Sequence, residues 1–159
     1  MTAVGRARVE LRMMSPPVAA QVTGGRRASD WAVDYPAEGD LVAARMYLRQ
    51  CAEIGDPQPF GPYQVIRLVD HLVVGGAGFH GRPIDGTVEI GYGIVPSARG
   101  TGLATEAARQ LIAIASGLAV RRVMARTEWA NPASVRVLER IGMRMIAASG
   151  EVRVYELLL

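Results

Sequence analysis

The sequence predicts an α/β (α+β) domain in which helices flank a mixed, mostly antiparallel central sheet. Three observations support this. Short segments with strand alternation recur between Gly- and Pro-rich turns, apolar residues at helical spacing lie between them, and a strand from Thr87 leads through a glycine-bearing turn straight into a helix. The chain has 159 residues and is 50% hydrophobic, enough to bury one core, so we expect a single domain over 1–159.

Local patterns predict the elements in chain order. The first half gives a strand over 7–13, a helix opened by Ser15-Pro16-Pro17 and closed by Gly24-Gly25, a helix over 37–51, and a hairpin of strands 63–68 and 72–79 turned at Asp70-His71. The second half gives the strand from Thr87, a helix ending at Gly117, a strand over 122–128, a helix over 132–141, and two short strands around Met145 and Val154.

The turn after the Thr87 strand has the chemistry of an anion site. Gly100 and Gly102 lack a Cβ, so the main chain can bend sharply and lie close to a ligand. The helix that follows presents free N–H groups from its first turn, with Arg99 beside them. We expect these groups to hold a phosphate.

Two common phosphate-binding motifs do not fit this turn. A P-loop needs a lysine, and the chain contains none, which also excludes Schiff-base chemistry. A dinucleotide fingerprint needs a third small residue where Thr105 stands, and it needs more chain after the turn than this sequence has.

Arg99-Gly100-Thr101-Gly102-Leu103-Ala104 matches the pattern Arg/Gln-x-x-Gly-x-Gly/Ala. With Ile94-Val95-Pro96 before it, Thr105-Glu106-Ala107 after it, Asn131 with Ser134, and Leu138 to Met143, the chain resembles the GNAT superfamily of N-acetyltransferases. Within that superfamily it is most similar to the ribosomal-protein (RimJ/RimL-like) N-terminal acetyltransferase branch. The resemblance runs from about Val73 to the C-terminus.

The resemblance implies a GNAT fold with a splayed strand pair that forms a coenzyme A cleft. It implies that residues 73–159 are the coenzyme A-binding core and that residues 1–72 form the acceptor side. The strand is expected to splay at 93–95, with the N–H of Val95 polarising the thioester carbonyl. The residues implied to bind acetyl-CoA are Ile94, Val95, Arg99, Gly100, Thr101, Gly102, Leu103, Ala104, Asn131 and Ser134.

Two residues are candidates for catalysis. Glu89 is the candidate general base, acting through a water, and a solvated glutamate on a strand face is the alternative. The resemblance implies that Ser134 donates a proton to the leaving thiolate or positions the sulfur, and a first-turn helix serine is the alternative. Many family members carry a tyrosine acid where Leu138 stands here, so that acid is excluded. Asn131 also reads as a helix N-cap.

The acceptor wall is predicted less sharply. Trp31 and Tyr35 are surrounded by Asp30, Asp34, Glu38 and Asp40, a rim that would suit a cationic amine. The alternative is two buried rings among solvated loop charges. We expect Tyr92 to be a packed aromatic residue of a strand. We expect Glu106 to be a carboxylate whose charge is favoured near a helix N-terminus.

Composition limits the partners. The net charge of +3 is dispersed, so no specific nucleic acid is indicated. The single Cys51 cannot form an internal disulfide, which favours the cytoplasm, and two histidines make a zinc site unexpected, so we expect no metal. No apolar run is long enough to span a bilayer, and no signal-peptide core is seen. No membrane partner is expected.

The sequence leaves two classes of function open. One is an N-acetyltransferase in which a primary amine attacks acetyl-CoA directly in a ternary complex, the acceptor being a peptide N-terminus or a small amine. The other is a non-catalytic acetyl-CoA-binding sensor or assembly module. The resemblance leaves the oligomeric state open, a homodimer being common in the family.

Overall fold

The structure is a computed structural model that describes residues 5–159. Seven strands form one sheet in the order β1-β2-β3-β4-β5-β7-β6. All neighbouring strands pair antiparallel except β4 and β5, which are parallel. The strands are β1 (Val9–Met13), β2 (Pro62–Arg67), β3 (Leu72–Phe79), β4 (Thr87–Ile94), β5 (Arg122–Glu128), β6 (Arg144–Ser149) and β7 (Val152–Leu158). The predicted mixed, mostly antiparallel sheet is confirmed.

Four α-helices flank this sheet over the described residues: α1 (Pro16–Thr23), α2 (Glu38–Ile54), α3 (Leu103–Gly117) and α4 (Pro132–Arg140). Helix α2 packs on α1, β2 and β3, whereas α3 packs on β1, β3, β4 and α4. The core includes Ile90 of β4, Leu111 of α3 and Val123 of β5, all buried. No helix between residues 5 and 159 is both long and apolar enough to cross a membrane.

The helix boundaries follow from local chemistry. Ser15 caps α1 by accepting a hydrogen bond from the N–H of Val18 at 3.5 Å, with proline in the first turn. Helix α2 runs to Ile54, one turn beyond the predicted end, because the stop signal is Gly55 with φ 91°. In the β2–β3 turn, His71 adopts φ 59°.

Glu106 joins the first strand to the helix that follows the glycine turn. Its Oε1 accepts hydrogen bonds from the N–H groups of Arg8 and Val9 at 2.7 and 3.1 Å, and its Oε2 lies 3.2 Å from Nε of Arg8. The role assigned from sequence, a favourable charge at a helix N-terminus, is therefore only part of what this carboxylate does. It also holds the start of β1 against α3.

We expect Glu106→Ala to destabilise the protein by about 1–3 kcal/mol, because two main-chain N–H groups lose their acceptor. Thermal or urea unfolding measures the loss. Glu106→Gln keeps an acceptor oxygen and should recover most of the stability. An alanine variant as stable as the parent would show that the contact is not stabilising.

Candidate active site

The strands β4 and β5 part after four residue pairs. Their pairing joins Thr87–Ile90 to Arg122–Ala125 and then ends. Beyond it, β4 stays paired with β3 as far as Ile94, while β5 stays paired with β7 as far as Glu128. The predicted splayed pair is therefore present, and the gap opens at Gly91, two residues before the expected position.

The main-chain groups that face the gap are those of Tyr92 and Ile94. The carbonyl of Glu89 accepts from the N–H of His80, just after β3, and the N–H of Val95 donates to the carbonyl of Val74 in β3, at 2.9 Å each. The direction in which main-chain groups bond alternates along a strand. Tyr92 and Ile94 therefore point to the open side. The expectation for Val95 is wrong: its N–H donates to the carbonyl of Val74 and the residue is fully buried, so it cannot polarise a thioester.

The turn after β4 exposes a run of main-chain N–H groups. Gly100 and Gly102 have φ of 83° and 82°, a left-handed conformation that favours glycine, and α3 begins at the next residue. Within residues 5–159, the N–H groups from Gly100 to Thr105 have no hydrogen-bond acceptor. Arg99 lies beside them and donates from Nε to the carbonyl of Ile94 at 2.9 Å. This is the geometry of an anion site.

Arg8 is a second cation at this turn, and sequence reasoning missed it. Its guanidinium donates to the carbonyl of Thr101 at 2.6 Å, and a Cβ added to Gly102 would lie 3.2 Å from its Nη2. Glu106 holds the same guanidinium from the other side. The arginine therefore fixes the outer edge of the turn and adds positive charge beside it.

The turn is also held from its N-terminal side by Asp34. This carboxylate accepts hydrogen bonds from the N–H and Oγ of Ser97 at 2.8 and 2.7 Å, in the short turn Pro96–Ala98 that follows β4. The two bonds from Ser97 lower the pKa of Asp34. Asp34 thus holds the segment that follows the C-terminal end of β4.

A cleft of about 710 Å³ extends from the gap over this turn to α4. Two arginines of α4, Arg136 and Arg140, line its far side and add to the positive charge. Two of the residues predicted to bind the cofactor do not line it: Val95 is buried, and Thr101 is held by Arg8 through its carbonyl. The predicted residues that do line it are Ile94, Arg99, Gly100, Gly102, Leu103, Ala104, Asn131 and Ser134.

Ser134 meets Tyr92 across the gap. The Tyr92 hydroxyl lies 3.0 Å from Oγ of Ser134 and donates to the Ser134 carbonyl at 3.1 Å. Asn131 caps α4 by accepting from the N–H of Ser134 at 3.1 Å, as its N-cap interpretation predicts. Burial raises the pKa of Tyr92, which makes it a weaker acid than free tyrosine. Leu138 is buried in the core.

Glu89 lies on β4 directly opposite His80, the residue that follows β3. The N–H of His80 donates to the carbonyl of Glu89 at 2.9 Å, and the side chains meet with Nδ1 of His80 3.5 Å from Oε1 of Glu89. Arg126 approaches the same Oε1 at 3.6 Å. Sequence reasoning considered His80 only as a metal ligand and missed this pairing.

A second cavity of about 330 Å³ lies between α2 and the β3–β4 pair. It meets the cleft at Tyr92, Gly93, Ile94 and Arg99, which line both. We call it the chamber. Its walls are formed by Met14, Ala43, Met46, Tyr47, Gln50, Tyr63 and Phe79, together with Asp40 of α2 and His80.

Three glycines form the floor of the chamber. Gly76 of β3 is paired with Gly93 of β4, and Gly91 lies two residues before Gly93, so all three face the same side. A Cβ on Gly76 would lie 2.5 Å from Oδ1 of Asp40, and one on Gly91 would lie 2.9 Å from Nε2 of His80. The missing side chains let both polar groups approach the sheet.

The acidic aromatic rim predicted from sequence does not form the acceptor wall. Trp31 and Tyr35 are buried and pack edge to face at 5.1 Å, so the alternative of two buried rings holds. Asp34 bonds Ser97, and Asp30 pairs with Arg12 at 3.3 Å. Glu38 is exposed. Of these acids only Asp40 lines the chamber in the part of the chain that the structure describes.

Asp40 has an unusually high pKa for an acidic residue near the start of a helix. Its Oδ2 accepts from the N–H of Ala37 at 2.9 Å, which caps the start of α2. Burial raises the pKa of Asp40 to about 6, and the bond from Ala37 opposes this only partly. Over residues 5–159, Oδ1 has no hydrogen-bond or ion-pair partner.

The chain belongs to the GNAT acetyltransferase domain family, whose profile matches residues 8–144. Solved structures agree in fold. A GNAT-family acetyltransferase from Bacillus anthracis is 24% identical, with 96% of this chain and 95% of that one covered and a TM-score of 0.65.

Two further similar structures contain the cofactor. RimL, a ribosomal L7/L12 α-N-protein acetyltransferase in complex with coenzyme A, is 18% identical, with 97% and 96% covered and a TM-score of 0.68. The microcin C7 self-immunity acetyltransferase MccE, in complex with acetyl-CoA and AMP, is 13% identical, with 97% and 94% covered and a TM-score of 0.67. No curated protein matches the sequence.

We expect Asp40→Asn to stabilise the protein at neutral pH. The folded-state pKa of Asp40 is about 6 against 3.8 for the free side chain, so folding binds a proton and the native carboxylate loses stability as pH rises from 4 to 6. The variant should match the parent near pH 4 and exceed it by about 1–3 kcal/mol at pH 7.5.

Asp34→Asn is the matched control with the opposite sign. The pKa of Asp34 is lowered, so its contribution is present above the free-side-chain pKa and disappears as the pH falls. Unfolding of the three proteins at several pH values measures both effects. A stability difference for Asp40→Asn that does not change with pH would refute the burial of its charge.

Proposed function

We propose that this protein transfers an acetyl group from acetyl-CoA to a primary amine by direct attack in a ternary complex. The observation that carries the proposal is the meeting of the chamber with the phosphate-binding cleft at the open edge of β4, at Tyr92–Ile94. A cofactor in the cleft and an amine in the chamber would face each other there. Most of the cleft is lined by residues 73–159, while α2 and β2 give the chamber its outer walls.

In this proposal the diphosphate of acetyl-CoA binds the N–H groups from Gly100 to Thr105, with Arg8 and Arg99 supplying charge. The pantetheine arm pairs with the open edge of β4. The N–H of Ile94, instead of that of Val95, donates to the thioester oxygen. Similarity to RimL supports placement in the ribosomal-protein acetyltransferase branch, and a peptide N-terminus and a small amine are the two acceptor classes to be distinguished.

The proposed reaction is written with its protons. The bound ammonium gives one proton toward Glu89, through His80, whose ring lies between the carboxylate and the floor of the chamber. The nitrogen lone pair then forms a bond to the thioester carbon, and the oxyanion is held by the N–H of Ile94. Collapse breaks the C–S bond, and the second proton of the nitrogen passes through solvent to the thiolate. The proton held by Glu89 is then released to solvent, which restores the starting state.

We propose that Ser134 stabilises the thiolate by donating a hydrogen bond and keeps its own proton, because a serine alkoxide is a stronger base than a thiolate. Its hydroxyl lies in the cleft, and the Tyr92 hydroxyl 3.0 Å away holds it in place. Because burial raises the pKa of Tyr92, we assign it to positioning and not to proton donation. The same contact joins α4 to β4 across the gap.

We further propose that the protein acts in the cytoplasm, which the lone Cys51 supports, since a free thiol persists in a reducing compartment. The alternative function is an acetyl-CoA-binding sensor without turnover. Such a sensor would bind acetyl-CoA in the same cleft but would not require the His80–Glu89 pair as a proton acceptor. Free-thiol release with a panel of amines separates the two functions.

Titration with acetyl-CoA tests the cofactor site. We expect thermal protection and measurable heat for the parent protein, and a loss of affinity of about tenfold or more for Arg99→Glu, because a charged donor becomes a repulsive acid beside the diphosphate. Arg45→Glu, on the exposed surface of α2, makes the same change in net charge and should bind like the parent. Equal behaviour of the two variants would contradict the site.

Steady-state kinetics test the proton relay. We expect Glu89→Gln and His80→Gln each to lower kcat by about 10²-fold while leaving acetyl-CoA affinity unchanged, because each removes a step of amine deprotonation. The double variant should lose little more than either single one, since the two side chains act as a unit. His71→Asn replaces the other histidine, in the β2–β3 turn, and should retain parental kcat. Full turnover by Glu89→Gln would remove the assignment.

A further inference from the structure

The chamber has the composition of a selective site for one kind of amine. Its volume of about 330 Å³ lies near the small end of ligand pockets, which run from about 300 to 1,000 Å³. Two methionines, Met14 and Met46, together with Ala43 and the ring of Tyr47, make up the apolar wall on the glycine side of the sheet. The hydroxyls of Tyr47 and Tyr63 are already engaged, with Asp56 at 3.0 Å and the carbonyl of Pro59 at 2.8 Å.

Asp40 is the one carboxylate among the chamber-lining residues of the described chain. The two basic side chains that line the chamber do not pair with this carboxylate. Arg99 is bonded to the carbonyl of Ile94 at 2.9 Å, and His80 faces Glu89 at 3.5 Å. Oδ1 of Asp40 therefore lies over the glycine floor with no partner among residues 5–159, in surroundings that raise the pKa of the carboxyl to about 6. A cation bound there would donate a charged hydrogen bond to a carboxylate that is only partly hydrated.

The position of Oδ1 matters as much as its charge. It lies against Gly76, which is paired with Gly93, and paired strands are about 5 Å apart. Gly93 stands between Tyr92 and Ile94, whose main-chain groups face the cofactor gap. His80 lies over Gly91, which is two residues and therefore about 7 Å from Gly93 along β4. A nitrogen held by Asp40 would thus be close to the proposed thioester position and to the proton acceptor.

We propose that the acceptor is a small primary amine with an apolar alkyl or aryl body, bound as its ammonium ion by Oδ1 of Asp40. The two methionines, Ala43 and the ring of Tyr47 contact the carbon body. This inference deepens the proposed function and rests on it. Polyamines and aminoglycosides fit the chamber poorly, because their further ammonium groups would be desolvated without a second carboxylate. A peptide fits poorly because its amide groups would lie among apolar walls.

Acceptor kinetics with saturating acetyl-CoA test the class. We expect kcat/KM for 2-phenylethylamine and hexylamine to exceed the values for spermidine, kanamycin and alanyl or seryl peptides by about tenfold or more. A preference for a polyamine, an aminoglycoside or a peptide would overturn the proposal. If none of the amines is acetylated although acetyl-CoA binds, calorimetry of 2-phenylethylamine with the coenzyme A complex decides: binding supports the chamber as an amine site, and no binding overturns it.

Variants test the assigned residue. Asp40→Asn keeps the acceptor for the N–H of Ala37 but loses the charge, so KM for 2-phenylethylamine should rise about tenfold or more, with a smaller change in kcat and none in acetyl-CoA affinity. Glu38→Gln removes a charge from the same helical turn outside the chamber and should leave KM unchanged. An unchanged KM in Asp40→Asn would overturn the role of the carboxylate.

A size variant tests the chamber without touching its charge. Ala43→Leu on α2 fills space beside the apolar wall and keeps a strong helix former. It should raise KM for 2-phenylethylamine more than for ethylamine, while acetyl-CoA still binds. Equal effects on both amines would show that the body of the acceptor lies elsewhere. If the parent protein itself did not bind acetyl-CoA, the proposed function would fail, whatever the result for the amine.

Discussion

The end of pairing between β4 and β5 is the constraint on which the site depends. β4 remains hydrogen-bonded to β3 through Ile94, yet within residues 5–159 its other edge has no strand beside it after Ile90. The N–H groups of Tyr92 and Ile94 are therefore left without a strand partner, while the carbonyl of Ile94 accepts from Nε of Arg99. The Tyr92 side chain spans the gap to Ser134 and keeps α4 at a distance from β4. One broken ladder thus creates both the cofactor cleft and its meeting point with the chamber.

The glycine turn after β4 shows how distant parts of the chain hold an irregular segment. Gly100 and Gly102 adopt left-handed conformations, and within residues 5–159 their N–H groups have no hydrogen-bond acceptor. The turn is held at both ends, by Asp34 through Ser97 and by Arg8 through the carbonyl of Thr101. Glu106 in turn holds Arg8. The site is therefore preorganised, which lowers the entropic cost of binding a flexible cofactor.

The chamber combines two features that conflict for stability. An apolar wall favours folding, whereas a carboxylate within it disfavours folding once it ionises, as the raised pKa of Asp40 indicates. Its bond to the N–H of Ala37 offsets only part of that cost. Within residues 5–159 the Asp40 carboxylate has one oxygen without a partner, so the chamber is less stable than a fully apolar core would be. A proposed amine site there would be an instance of the trade-off between stability and function.

The sequence by itself determined the order of the elements and the glycine turn that follows β4, whereas the parting of β4 from β5 was implied only by the family resemblance. The order and the turn depend on local signals: alternation, helical spacing, and glycines such as Gly102 where only glycine adopts the required φ readily. The tertiary structure alone decided which N–H group faces the gap, because that depends on the register that pairs Val95 with Val74. It also brought three pairs of residues together: His80 and Glu89 on either side of the β3–β4 loop, Arg8 and Thr101, which are 93 residues apart, and Asp40 and Gly76. None of these contacts leaves a local pattern, since each is set by the packing of segments that are distant along the chain.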